Sequence, residues 1–117
     1  MEKIIDVNGK EMKFAATAMT DHMADKVFGI NLSYALQHTD DSKTQELMRK
    51  IAFIMNKRAE LGGWRQVEEL SVEDYYDWLD GIDSFAIEQC AKEILDMYVQ
   101  NKKTSVSPKN ITNPQAG

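Results

Sequence analysis

Cysteine is all but missing from this chain. Cys90 stands alone, so no internal disulfide can form, and a reducing compartment is the expectation. Cys90 itself falls inside an apolar helical pattern, which points to a buried, inert thiol. Histidine is nearly as scarce. His22 and His38 each lack a second histidine or a cysteine at metal-ligand spacing. Asp21 and Asp25 lie near His22, but the group reads as a solvated histidine with acidic neighbours. No glycine-rich phosphate loop exists: Asn8-Gly9-Lys10 holds a Gly-Lys pair without the rest of that motif. A serine-centred nucleophile elbow is missing too. The expectation is a protein that is not an enzyme and has no catalytic, cofactor or metal site.

Long apolar runs are also lacking. None approaches the roughly 18 residues needed to cross a bilayer, and the start, Met1-Glu2-Lys3-Ile4-Ile5-Asp6, has no secretory hydrophobic region. A cytoplasmic location is expected. Positive charge is in deficit as well, with 14 Lys and Arg against 19 Asp and Glu, a net charge of -5. Phosphate backbones and anionic membranes attract basic faces, so neither nucleic acid nor membrane is an expected partner.

What is present suits one small domain. The apolar fraction of 43% can build a modest core within 117 residues. Residues 3–15 read as a β-hairpin. Ile5 and Val7, then Met12 and Phe14, alternate with polar residues, and Asn8-Gly9 favours a type I′ turn. Helical patterns follow over 17–100. Thr17 to Phe28 carries Met19, Met23 and Val27 on one face, with Thr17 or Thr20 as cap and Gly29 as stop. Ile30 to Gln37 forms a short second helix. Ser42, with Gln45 three residues on, fits a capping box for a helix reaching Leu61, whose stripe is Leu47, Ile51, Ile54, Met55 and, at its edge, Arg58. Trp64 to Leu70 reads as a loop with a short helical turn. Ser71 with Asp74 starts a helix over Val72 to Leu79. After Gly81, Asp83 or Ser84 starts the last one, Phe85 to about Gln100, with Ile87, Ala91, Ile94, Leu95 and Tyr98 facing the core. Residues 101–117 are poor in large apolar groups and hold both prolines, which points to a disordered tail. The fold class is α+β, mainly α: a hairpin, about four to five helices and a tail.

The densest cluster is acidic: Glu68, Glu69, Glu73, Asp74, Asp77, Asp80 and Asp83. It fails the calcium-loop template, which needs ligands at its first, third and fifth positions and a glycine at its sixth. A solvated face interleaved with buried aromatics is the plain reading, and a docking face for a basic partner is the functional one. Several of the seven methionines lie on helices, where they fill gaps or furnish adaptable contacts. The candidate partner-binding residues are therefore the exposed members of Met19, Met23, Tyr75, Tyr76 and Trp78.

The order of these segments resembles a known family. Ile5 to Phe14, with its central Asn8-Gly9, is similar to the opening hairpin of the tail assembly chaperones of long-tailed (siphovirus-type) bacteriophages and prophages. Ala16-Thr17-Ala18-Met19-Thr20 and the close Lys26-Val27-Phe28-Gly29-Ile30-Asn31-Leu32 resemble that family's Thr-led first helix and its Lys-Phe-Gly-like step. Val27 separates Lys26 from Phe28 here, a small departure. Leu47 to Arg58 resembles its middle helix. Trp78-Leu79-Asp80-Gly81-Ile82-Asp83-Ser84-Phe85-Ala86-Ile87 resembles the acidic-aromatic segment before its last helix. The likeness covers about residues 4–100. It implies a chaperone that binds the tape measure protein, and also the tail tube protein through a longer frameshifted form; the hairpin's two exposed strand edges and a long, repetitive client point to a homo-oligomer. Such a chaperone works in the host cytoplasm and is absent from the mature virion. The alternative is an acidic DNA-mimic or regulatory protein of a mobile element that inhibits a nucleic-acid-binding protein.

Overall fold

The computed structural model describes residues 1–83 and 85–105. Strands β1 (Glu2–Val7) and β2 (Lys10–Ala15) pair antiparallel, with Ile5 opposite Met12 and Val7 opposite Lys10. Asn8 at φ 57° and Gly9 at φ 87° make the two-residue connection, in the left-handed backbone that a type I′ turn demands. The Asp6 carboxylate accepts the Gly9 amide at 2.7 Å and fixes the turn. Ile5, Val7, Met12 and Phe14 face the core, so the alternating pattern translates directly into one dry face.

Six helices follow among the described residues: α1 (Ala18–Phe28), α2 (Leu32–His38), α3 (Asp41–Leu61), α4 (Trp64–Glu68), α5 (Val72–Asp80) and α6 (Ala86–Ser105). The chain is mainly α with an N-terminal hairpin. Helix α1 has a complete capping box: Thr17 accepts the Met19 amide, and Thr20 accepts the Thr17 amide. It closes on Gly29 at φ 65°, where the Ile30 amide reaches back to the Ala24 carbonyl, a Schellman ending. The expected box at Ser71 and Asp74 opens α5.

Helix α3 is the centre of the molecule. Every residue from Ile51 to Asn56 is buried, so this stretch is covered on all sides. The hairpin, α1 and α6 pack around it. Phe53 gathers an aromatic cluster in edge-on geometry, 5.3 Å from Tyr75, 5.6 Å from Trp78 and 6.3 Å from Phe28 between ring centroids. Such pairs are worth about 0.5–1.5 kcal/mol each beyond their buried area.

Several boundaries differ from the sequence reading, among them the start of α2, which lies at Leu32 behind the cap Asn31 and not at Ile30. Asp40, not Ser42, caps α3: its carboxylate accepts the Ser42 and Lys43 amides and the Ser42 hydroxyl, leaving Ser42 inside the first turn. The short helical turn read after Gly63 is α4, and its Val67 is fully buried. Helix α6 runs five residues past Gln100, to Ser105, because its polar end contains no proline to stop it. The remainder of the expected tail, 106–117, and the candidate start residue Ser84 lie outside the described residues.

Candidate functional site

Helix α5 has apolar residues on two faces. Tyr75 and Trp78 point inward onto Phe53, while Tyr76 is 61% exposed. Val72, Tyr75, Tyr76 and Leu79 recur at the i, i+3, i+4, i+7 spacing of one helical stripe. That stripe forms one wall of an open groove of about 380 Å³. Val27 and Phe28, from the end of α1, form the second wall. Glu46, Arg49 and Lys50, one turn of α3, line the third.

The groove is apolar below and charged at the rim. Phe28 and Tyr75 meet edge to face at 4.9 Å. The Lys50 ammonium lies 5.2 Å above the Phe28 ring and bonds Glu46 at 3.1 Å, so its charge is held over the aromatic face. Lys50 holds the Glu46 carboxyl below its ordinary range. Burial pushes the Tyr75 phenol above its ordinary value, and the neighbouring Arg49 acts in the opposite direction. The groove can cover apolar side chains and offer them a flanking cation.

The five candidate contacts separate. Tyr76 is exposed in the groove, and Tyr75 presents part of its ring there from a buried position. Met19 is half-buried against the core. Met23 is fully buried and Trp78 is 9% exposed, so both belong to the core. The physical reason is that α1 and α5 lie against α3, which takes the Met23 face of one and the Trp78 face of the other. Sequence reasoning missed Phe28, Arg49, Lys50 and Val72 as groove residues. The stripe of α5 was the available signal for Val72, while Arg49 and Lys50 carry no local sign of their position.

The acidic cluster is dispersed. Glu68 pairs with Lys26, whose ammonium also donates to the Glu68 carbonyl at 2.7 Å, and His22 Nε2 lies 2.8 Å from the same carboxylate. Lys26 first, then His22, hold the Glu68 carboxyl below its ordinary range. Asp74 is engaged in its capping box, and Asp83 accepts the Asn8 side-chain amide at 2.7 Å. His22 thus turns to Glu68, while Asp21 and Asp25 line a separate cleft beside Asn31 and Ser33. Among the described residues, no group of three or more His, Cys, Asp or Glu side chains is placed to hold a metal ion, and no helix is long and apolar enough to cross a membrane. No family model, curated protein or solved structure matches the chain.

Proposed function

We propose that this chain is a tail assembly chaperone of a long-tailed bacteriophage or prophage. It binds the tape measure protein and keeps it soluble in the host cytoplasm while tail tube subunits polymerise. The observation that carries the reading is the open groove walled by α1, α3 and α5, with Tyr76 exposed on its lip. A long helical client presents apolar turns that aggregate in water. A groove with an aromatic floor receives such turns, because one helix can lay its apolar face into it. The order of the elements, a hairpin and then a helical body, agrees with the family resemblance.

One domain covers a short stretch of a long client. Several copies along it, associating as a homo-oligomer, raise the residence of each, since a second contact on a tethered client is effectively intramolecular. The net charge of -5 keeps the loaded complex dispersed. The tail tube protein is a second partner in this reading, and the protein leaves before the virion is complete.

The test is co-expression with the tape measure protein encoded in the same genome. The client moves from the insoluble to the soluble fraction and co-purifies with this chain. Light scattering on the purified complex gives more than one copy of the chain per client. If the wild-type chain neither solubilises nor co-purifies with any tail component, the reading fails.

A further inference from the structure

Among the described residues, no hydrogen bond reaches one side of the β1 backbone. Met1 and Ala16 exchange both of their hydrogen bonds, the Ala16 amide donating to the Met1 carbonyl at 2.8 Å and the Met1 amine to the Ala16 carbonyl at 3.1 Å. In an antiparallel ladder such pairs alternate with pairs whose polar groups point away. With the register Lys3 to Phe14 and Ile5 to Met12, the odd-numbered residues of β1 bond β2. The amides and carbonyls of Glu2, Ile4 and Asp6 therefore point outward along the free edge. On β2 one group of the corresponding edge is engaged: the Asn56 side-chain amide donates to the Lys13 carbonyl at 2.8 Å. No comparable bond reaches Glu2, Ile4 or Asp6 on the β1 edge among the described residues.

The same three residues put their side chains on one exposed face in the order acid, apolar, acid, and Ile4 is 56% exposed. An added strand pairing there would be read at these positions. A second copy of β1 centred on Ile4 would set Glu2 opposite Asp6 twice, and like charges directly opposite are destabilising. We propose that the β1 edge binds an extended segment of another protein by strand addition, and that this segment carries the pattern basic, any, apolar, any, basic. Its apolar residue lies beside Ile4, its basic residues lie beside Asp6 and Glu2, and its backbone fills the outward amides and carbonyls. The proposal is independent of the groove on α5.

The probe is a fluorescein-labelled heptapeptide with lysine at its second and sixth positions, valine at its centre and threonine elsewhere. Its control carries glutamate in place of both lysines. Fluorescence anisotropy with the full chain gives saturable binding of the lysine peptide, weakened by added salt, and none of the glutamate peptide. Ile4→Pro removes one outward amide and no bond of the hairpin ladder, since proline is tolerated on an edge strand. It weakens binding about tenfold at an unchanged melting temperature. Should Ile4→Pro unfold the hairpin, Glu2→Lys serves instead: it weakens the lysine peptide about threefold and improves the glutamate one. Equal binding of both peptides, or full binding to folded Ile4→Pro, overturns the proposal. So does sedimentation of the wild-type chain as a dimer that Ile4→Pro dissociates, because a second copy then occupies the edge.

Discussion

The indole N–H of Trp78 donates to the Asn56 side-chain carbonyl at 2.9 Å, deep inside the molecule. The other end of Asn56 donates to the Lys13 carbonyl and, at 3.2 Å, to Glu60. One buried amide therefore joins the hairpin, α3 and α5, and every polar atom it brings into the core finds a partner. Asn56 is 1% exposed, so removing it leaves the indole N–H unsatisfied out of reach of water. Asn56→Leu should cost about 1–3 kcal/mol or more, the penalty of a buried unpaired donor. Urea denaturation measures it. A neutral result would mean that the indole finds another acceptor.

Tyr76 and Trp78 should behave oppositely on truncation. Trp78→Ala removes an aromatic packed on Phe53 and should cost about 3–5 kcal/mol of stability. Tyr76→Ala removes an exposed ring and should change stability by about 0.5 kcal/mol or less. At a central position in an interface, the same truncation should weaken client binding by about 2 kcal/mol. Thermal melts and pull-down of the client read the two effects separately. A Tyr76→Ala protein that keeps both stability and client would remove the groove from the binding site.

This contrast was partly legible in the sequence. Residues two apart on a helix differ by about 200° around the axis, so Tyr76 and Trp78 cannot both face the core. Which of them does is decided by where α1 and α3 lie, and that is long-range information. The turn at Asn8-Gly9, the helix start at Ser71 and the stop at Gly29 were legible because each is a local backbone demand met by a local side chain, whereas Thr17 and Thr20 both suited the cap of α1 and the structure uses Thr17 as cap with Thr20 closing the box. Asp40 and Ser42 are both good caps two residues apart, and the carboxylate, able to accept two amides at once, takes the position. Helix α4 has five residues, too few to display a period. The groove joins α1, α3 and α5, whose residues are far apart in the chain, so its cations Arg49 and Lys50 look like any solvated pair until the helices are placed.

The pair of Lys26 and Glu68 ties α1 to the end of α4 and predicts an acid-dependent loss. Glu68 has its carboxyl held below the ordinary value of 4.5 by Lys26 and then His22. A carboxyl depressed in the folded state stabilises it above the unfolded value and ceases to do so as pH falls through the folded one. Glu68→Gln should therefore melt slightly below the wild type at neutral pH, with the difference vanishing in acid once Glu68 is protonated. A difference that persists unchanged into acid would assign the effect to packing instead of charge.

Cys90 gives the alkaline counterpart. Its thiol is 2% exposed and donates weakly to the Ala86 and Ile87 carbonyls. Burial, with a smaller contribution from the charge of Glu93, pushes the thiol from 9.0 up to about 11. The folded chain thus holds this proton where the unfolded chain releases it. Below 9.0 both states are protonated and the group has no effect on stability. Between 9.0 and about 11 the unfolded state binds fewer protons, so stability falls as pH rises. Cys90→Ala lacks this term, and its stability should decline less steeply over that window than that of the wild type. Iodoacetamide supplies an independent measure: at neutral pH it should alkylate Cys90 no faster than the chain opens, and the rate should rise with urea in step with unfolding. Rapid alkylation of the fully folded chain at neutral pH would show the thiol to be accessible and ionised, contrary to its placement in α6.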